Sequence, residues 1–180
     1  MQIIETSIPG VLIFEPKVFG DDRGFFLETW NDQCAAAIGR EHHFVQDNHS
    51  RSTRGVLRGL HFQNPNAQGK LVRVSRGKVW DVAVDIRAGS ATLGHWVGVE
   101  LSESNKRMLW IPPGFAHGFL CLEDQSDFLY KCTAPYDASA DNSMAWNDPT
   151  LAIDWPLDGI TPELSAKDQA AKPFEPVHFS

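Results

Sequence analysis

Short stretches in which apolar side chains return at every second position restrict the fold of this sequence most. The clearest lies at 80–86, where bulky apolar residues alternate with small or acidic ones, and similar alternation occurs at 97–101 and 128–133. Successive side chains of a β-strand point to opposite faces, so this period predicts strands. Turn-forming residues separate the stretches, at 75–77, 87–90 and 102–105. We therefore expect an all-β fold, built as a sandwich, jelly roll or barrel.

Helical patterns are scarce by comparison. Residues 32–38 predict one short helix, with Asn31 or Asp32 as its N-cap and Gly39 at its end. Residues 162–171 predict a second helix near the C-terminus. Both helices are too short to form a layer of their own, so we expect them at the periphery of the strands.

The whole chain, residues 1–180, suits a single domain, because no repeat, low-complexity tract or linker divides it. It has no apolar run of about 18 residues, and its first residues are not those of a secretory signal, so we expect no membrane span and no export. Its cysteines are odd in number and widely spaced, which favours reduced thiols and a cytoplasmic location. They are Cys34, Cys121 and Cys132.

Charged residues are distributed unevenly along the chain. The net charge of −7 argues against nucleic-acid binding through bulk positive charge. Residues 48–80, however, contain seven basic residues and no acidic one. The seven are Arg51, Arg54, Arg58, Lys70, Arg73, Arg76 and Lys78. Solvated strand positions explain some of them, but the window as a whole predicts a site for a phosphate or carboxylate ligand.

Two motifs in the chain contain candidate catalytic histidines. Residues 111–119 contain a Pro-x-Gly-x-x-His pattern that ends at His117 and resembles the second signature motif of the cupin superfamily, whose fold is a small jelly-roll barrel. Residues 55–63 would be the first motif, and there His61 is followed by Phe62 and Gln63. A metal-binding cupin has His-x-His and a nearby Glu at that place, so we predict no metal site.

Further motifs occur in a fixed order along nearly the whole chain. Their positions are 22–28, 46–50, 55–63, 68–74, 112–119, 130–131 and 146–149. In this order they resemble those of one family, the dTDP-4-dehydrorhamnose 3,5-epimerases. The resemblance implies a cupin-type jelly-roll β-barrel with short peripheral helices. It also implies a homodimeric isomerase of dTDP-rhamnose and polysaccharide biosynthesis that acts on a dTDP-4-keto-6-deoxyhexose without a cofactor.

The chemistry of such a reaction needs few protein groups. The C–H bonds at C3 and C5 flank the 4-keto group and are therefore acidic, so a base, an enolate stabiliser and an acid suffice. His61 suits the base, since histidine titrates at about pH 6.5. Lys70 suits the stabiliser, as a positive charge beside the developing oxyanion. The resemblance implies Tyr130 as the acid and Asp168 as the partner that orients His61.

The resemblance also implies a set of substrate-binding residues. They are Arg23, Glu28, Gln46, Asn48, Arg58, Lys70, His117, Asp141 and Lys167. The segment from Arg23 to Glu28 is similar to one that crosses to the neighbouring subunit in this family. At position 141 the family usually has Glu, and the segment 134–141 is rearranged in this sequence. Two interpretations are open: a surface loop whose sequence varies freely, or a loop whose contacts to the substrate differ from those in the family.

Arg58 and His61 raise a geometric question, because they are three residues apart and an ideal strand would place them on opposite faces. Both can reach one site only if the strand is bulged or kinked, and Gly59 is the natural place for that. Three other functions remain open from the residues. They are a mono-epimerase acting at C3 or C5 only, a metal-dependent cupin oxygenase and a non-catalytic nucleotide-sugar binder.

Overall fold

Short antiparallel strands make up most of the regular secondary structure in a computed structural model that describes residues 1–179. The strands are β1 (Gln2–Glu5), β2 (Leu12–Glu15), β3 (Val18–Asp21), β4 (Gly24–Leu27), β5 (Gln46–Ser52), β6 (Leu57–Gln63), β7 (Lys70–Arg76), β8 (Lys78–Asp85), β9 (Trp96–Ser102), β10 (Met108–Ile111), β11 (Phe115–Cys121), β12 (Ser126–Cys132) and β13 (Asp141–Ser143). The helices are α1 (Asp32–Ile38) and α2 (Ala166–Gln169). Within residues 1–179 no helix is long and apolar enough to cross a membrane.

Two sheets form the barrel. One has six strands in the order β1-β2-β10-β7-β12-β5, and the other has five in the order β13-β6-β11-β8-β9. Strands β3 and β4 form a separate hairpin. The prediction of an all-β, cupin-type jelly roll with short peripheral helices is confirmed.

Apolar side chains from both sheets pack against each other in an inter-sheet core. Its members include Val72 and Phe128 from the six-stranded sheet and Ala83 and Phe119 from the five-stranded sheet. A second cluster, the outer core, lies on the far face of the five-stranded sheet, where the C-terminal segment covers it. It includes Leu57, Leu60, Val82, Val84, Ile86, Leu151 and Trp155. The five-stranded sheet is therefore buried on both faces.

The predicted alternation in β8 does not reveal by itself which core each face of the strand contacts. Its apolar residues at 82 and 84 face the outer core, as does Ile86 just after the strand, whereas Val79 and Ala83 face the inter-sheet core. Asp81 lies between these two on the same side of the strand and is completely buried. The side of β8 that points into the barrel thus carries a carboxylate.

The two helices differ in how well the sequence predicted them. Helix α1 matches the prediction, and its N-cap is Asn31, whose side chain accepts a hydrogen bond from the Cys34 amide at 3.1 Å. For the second helix, the predicted length is wrong, because the helix begins only after Ser165 and has four residues. The backbone of Glu163 bonds to Gly55 and Leu57 instead, so this part of the chain is extended.

A β-bulge in β6 answers the question about Arg58 and His61. Across to β11, His61 lies opposite His117 while Arg58 lies opposite Phe119, so three residues of β6 span two of β11. Leu57 and Leu60 consequently both face the outer core, and Arg58 and His61 share the other face. The predicted irregularity at Gly59 is confirmed.

Replacing Gly59 with alanine is expected to destabilise the protein by about 3 kcal/mol. Gly59 has φ of +127°, and a Cβ atom there would lie 2.5 Å from the Cα of Gly118, which is backbone and cannot rotate away. Gly89→Ala is the matched control, because Gly89 also has positive φ but no atom within 4 Å of its added Cβ. Urea unfolding measures both variants, and equal losses of stability would show that the close approach at the bulge is unimportant.

Candidate active site

Side chains from both sheets converge on the interior of the barrel. His61 on β6 lies beside His117 on β11 in the five-stranded sheet. Lys70 on β7 lies beside Cys132 on β12 in the six-stranded sheet. The two sheets meet here, because the ring of His117 stacks on that of Phe128 with centroids 5.9 Å apart. The fold thus assembles one group of polar residues from four strands that are far apart in sequence.

His61 forms a tight pair with Asp168, as the resemblance implied. Nε2 of His61 and Oδ1 of Asp168 are 2.5 Å apart. Asp168 is 4% exposed, whereas about a third of the His61 side chain is accessible, at 34%. An ionised Asp168 can only accept, so Nε2 of His61 carries the shared hydrogen. Nδ1 of His61 is then the nitrogen that remains able to take a proton.

The local structure of α2 keeps Asp168 ionised and in place. Ser165 is the N-cap: its hydroxyl accepts a hydrogen bond from the Asp168 amide at 3.1 Å and donates one to Oδ2 of Asp168 at 2.8 Å. Burial by itself would raise the pKa of Asp168, but the hydrogen bonds from His61 and Ser165 outweigh it, and the pKa lies below its usual value. A charged Asp168 accepts the hydrogen on Nε2 of His61 and so holds the orientation of the ring.

Lys70 presents an ammonium group to the same interior. The residue is half-buried, and its ammonium forms no hydrogen bond or ion pair with the other residues that the structure describes. Burial lowers the pKa of Lys70, and the charge of Lys167 adds to this effect. The carboxylates of Asp81 and Asp141 oppose it. This ammonium is available to a negatively charged oxygen of a ligand.

His117 belongs to a second histidine–carboxylate pair. Its Nε2 lies 2.9 Å from Oδ2 of Asp81, and both residues are buried. Burial lowers the pKa of His117, although Asp81 favours the protonated ring. The sequence analysis missed Asp81, and the only available signal was an acidic residue within a strongly apolar strand. The second oxygen of Asp81, Oδ1, is buried with no hydrogen-bond partner among residues 1–179.

Tyr130 lies on the inner face of β12, packed beside Phe128 with ring centroids 5.9 Å apart. Burial raises the pKa of Tyr130, and the positive charge of Arg58 offsets this only in part. The phenol therefore keeps its proton at neutral pH and can act as an acid.

The remaining predicted binding residues on the barrel border its mouth. The amide of Gln46 donates to Oδ1 of Asn48 at 3.0 Å, and the amide of Asn48 donates to Sγ of Cys132 at 3.6 Å. Lys167 and Asp141 form an ion pair at 2.5 Å. The hydroxyl of Tyr136, an exposed residue that the sequence analysis did not single out, donates to Asp141 at 3.0 Å.

Arg23 and Glu28 lie apart from this group. Arg23 is in the turn of the β3–β4 hairpin, where it pairs with Asp21 and its side chain is 89% exposed. Glu28 follows the hairpin and accepts a hydrogen bond from Asn31 at 3.2 Å. Within residues 1–179, neither of these two predicted binding residues contacts the residues inside the barrel.

The basic residues of the segment 48–80, the basic window, do not all lie at one place in the fold. Lys70 and Arg58 lie at the candidate site, but Arg51 pairs with Asp127 and Lys78 pairs with Glu123. The window predicted one ligand site from seven cations, and the structure places only part of them there. In the described part of the chain, no group of three or more His, Cys, Asp or Glu side chains is arranged to hold a metal ion.

Known proteins with similar sequences support the resemblance seen in the motifs. A sequence profile of the dTDP-4-dehydrorhamnose 3,5-epimerase family matches residues 5–176. A dTDP-4-dehydrorhamnose 3,5-epimerase from Salmonella typhimurium is 60% identical over 173 residues, covering 95% of this chain and 94% of the relative.

Solved structures agree in fold as well. A dTDP-6-deoxy-D-glucose-3,5-epimerase from Legionella pneumophila in complex with dTDP-4-keto-L-rhamnose has a TM-score of 0.93 at 55% identity, covering 96% of this chain and 92% of that one. A 3'-monoepimerase from Streptomyces bikiniensis in complex with dTDP-quinovose has a TM-score of 0.89 at 34% identity, covering 94% and 86%. On these matches, this chain belongs to the dTDP-4-dehydrorhamnose 3,5-epimerase family.

Proposed function

We propose that this protein epimerises dTDP-4-dehydro-6-deoxy-D-glucose at C3 and C5 to give dTDP-4-dehydro-L-rhamnose. The observation that carries the proposal is the His61–Asp168 pair inside the barrel, together with the ammonium of Lys70 and the phenol of Tyr130. These are the base, the enolate stabiliser and the acid that proton exchange beside a ketone requires. The 60% identity to a relative of this name supports the same activity.

The proposed reaction moves only protons. Nδ1 of His61 takes the proton from the carbon beside the 4-keto group, and the electron pair of the broken C–H bond forms an enolate. Lys70 stabilises the enolate oxygen with its positive charge. Tyr130 then gives its proton to the opposite face of the same carbon, which inverts the configuration. Solvent restores the proton of Tyr130 and removes that of His61, and the sugar is neither oxidised nor reduced.

The nucleotide part of the substrate is proposed to bind at the mouth. Arg58 and Lys167 offer positive charges to the diphosphate, and arginine can do so with two parallel hydrogen bonds. Gln46 and Asn48 present amide groups, and His117 and Asp141 complete the predicted set on this chain. Cytoplasmic location and a single domain over residues 1–180 also remain proposals, supported respectively by three free cysteines and by the profile match over most of the chain.

We further propose that two chains form a homodimer and share each site. The β3–β4 hairpin exposes Phe19, Phe25 and Phe26 at 52%, 60% and 65%, which is costly for aromatic rings in water. Arg23 lies in the turn of this hairpin, where its side chain is 89% exposed and pairs with Asp21. Sedimentation at micromolar concentration tests this proposal, and a monomer that is fully active would contradict it.

Replacing Tyr130 with phenylalanine tests the assignment of base and acid in one experiment. In deuterated water, His61 should still remove a proton and return a deuteron to the same face, so label enters the substrate without inversion. Product formation should fall by about 10²–10⁴-fold, because the acid on the opposite face is missing. NMR of substrate and product follows label and configuration at each carbon, with wild type as the control. Undiminished inversion by Tyr130→Phe would contradict the role of Tyr130.

One alternative is a mono-epimerase with the same residues. The fold similarity to a 3'-monoepimerase supports keeping this alternative, because that relative shares most of the chain's architecture. The carbon-by-carbon measurement decides between the two, since a mono-epimerase inverts only C3 or only C5. Wild-type protein that binds the dTDP-sugar but catalyses no exchange would contradict both.

A further inference from the structure

The loop at residues 134–140, which we term the mouth loop, joins β12 to β13 beside the candidate site. Its sequence is the one that departs from the family pattern. In the structure its backbone is held by glutamine side chains from three other parts of the chain. Gln68 donates to the carbonyl of Ala134 at 2.9 Å, and Gln46 accepts from the amide of Tyr136 at 2.8 Å. A loop free to vary on the surface would not need such support.

Gln63 makes the most complete of these attachments. Its Nε2 donates to the carbonyls of Asn66 at 2.9 Å and Pro135 at 3.2 Å, and its Oε1 accepts from the amide of Asp137 at 2.9 Å. The residue is only 4% exposed, so water does not replace these bonds. Both amide hydrogens and the amide oxygen of Gln63 are therefore engaged, and all three bonds fix backbone atoms of two loops.

The mouth loop in turn presents groups to the mouth of the barrel. Tyr136 donates its hydroxyl to Asp141, and Asp141 pairs with Lys167, the residue next to Asp168 in α2. A shift of the backbone at 135–137 would move Tyr136 and with it the Asp141–Lys167 pair. His61, by contrast, is held by Asp168 and Ser165, which do not depend on the loop.

We propose that Gln63 is a positioning residue for nucleotide binding: it holds the mouth loop so that Tyr136, Asp141 and Lys167 form a fixed wall for the dTDP moiety. The inference rests on the function proposed above. Position 63 is the place of the second histidine in the metal-binding first motif of cupins. In this chain the side chain there is an amide, and its hydrogen-bonding capacity serves the loop. The effect of Gln63 is on binding, while proton removal by His61 proceeds without it.

The test is the Gln63→Met variant, which keeps the length of the side chain and loses all three hydrogen bonds. Its dissociation constant for dTDP alone, measured by calorimetry, should rise about tenfold or more, as expected for the loss of buried hydrogen bonds. The rate of solvent deuterium exchange at saturating substrate should change by less than about threefold, so that the loss appears in KM. Amide hydrogen exchange of the peptide 134–140 should become faster, since the amide of Asp137 loses its acceptor.

Gln33→Met is the matched control, because Gln33 is an exposed glutamine on α1, remote from the mouth, and it should leave all three measurements unchanged. If Gln63→Met does not fold, Gln63→Glu replaces it. That variant keeps the acceptor for Asp137 but has no amide hydrogens for the two carbonyls, so the same loss of dTDP affinity is expected with a smaller rise in amide exchange. Unchanged dTDP affinity in a folded variant would overturn the proposal, and so would a fall in the saturated rate as large as the fall in kcat/KM. Absence of exchange in the wild type would instead refute the proposed function, and the dTDP and amide-exchange measurements would still decide the role of Gln63.

Discussion

The His61→Asn variant is expected to lose proton exchange at both C3 and C5 by about 10²–10⁴-fold, the contribution typical of a positioned general base. The asparagine side chain is too short to replace Nε2 of His61, but the buried carboxylate of Asp168 keeps the hydroxyl of Ser165 as a partner. Asparagine has no nitrogen that can take a proton near neutral pH. The loss should therefore be chemical and should not come from unfolding. Solvent deuterium incorporation, read separately at each carbon, measures the effect.

The controls for this variant come from the same chain. His43→Asn changes an exposed histidine on the segment between α1 and β5 and should leave exchange at the wild-type rate. Binding of dTDP to His61→Asn should be close to that of the wild type, because the predicted nucleotide contacts are other residues. Exchange at the wild-type rate in His61→Asn would refute the assignment of the base, and loss at one carbon only would show that the two epimerisations use different bases.

The structure gives a reason for choosing His61 over His117 as the base. The His61 side chain is 34% exposed, whereas that of His117 is 9% exposed and its ring stacks on Phe128. Burial also lowers the pKa of His117, which makes it a weaker proton acceptor. The His117–Asp81 pair is thus better suited to offer a neutral imidazole that forms a hydrogen bond with the substrate. It is less suited to accept a proton from the substrate.

The Lys70→Met variant is expected to lower the exchange rate at saturating substrate by about 10²–10³-fold, as observed when one stabilising group is removed from a developing oxyanion. Methionine has nearly the length of lysine and no charge, so the interior stays filled. The enolate oxygen would then form in a half-buried site without its neutralising cation. Because the charge develops only in the transition state, the loss should appear in kcat more than in the affinity for dTDP.

Lys78→Met provides the matched control for charge. Lys78 belongs to the same basic window but pairs with Glu123 outside the candidate site, so its loss should leave the rate unchanged. A rate for Lys70→Met close to that of the wild type would show that another group stabilises the enolate. A rise in KM with an unchanged kcat would show that Lys70 contributes to binding alone.

The sequence predicted secondary structure correctly wherever interactions between residues close in sequence determine it. The alternation at 80–86, 97–101 and 128–133 predicted β8, β9 and β12, because a strand must separate polar and apolar side chains at every second position. The short helix at 32–38 was predicted because its cap and its final glycine are local signals. The helix at 162–171 was predicted too long, because the backbone at Glu163 pairs with a strand more than a hundred residues away.

The candidate site was predicted partly from residues and partly from family resemblance. The roles of His61 and Lys70 could be predicted from the chemistry of their side chains and from the basic residues of the segment 48–80. The pairing of His61 with Asp168 was implied only by resemblance, because nothing local connects two positions so far apart. Asp81 was missed, since an acidic residue on a strand does not reveal by itself that it faces a buried histidine on the next strand.

By itself, then, the sequence determined the strand-rich fold, the bulge at Gly59 and the set of groups available for proton transfer. These follow from side-chain alternation, from backbone restrictions and from the chemistry of single residues. Only the tertiary structure decided which groups meet: the two histidine–carboxylate pairs, the division of the basic window and the attachment of the mouth loop by Gln63. Each of these depends on contacts across strands or between a strand and a loop, and the sheet pairing that creates them is a property of the whole chain.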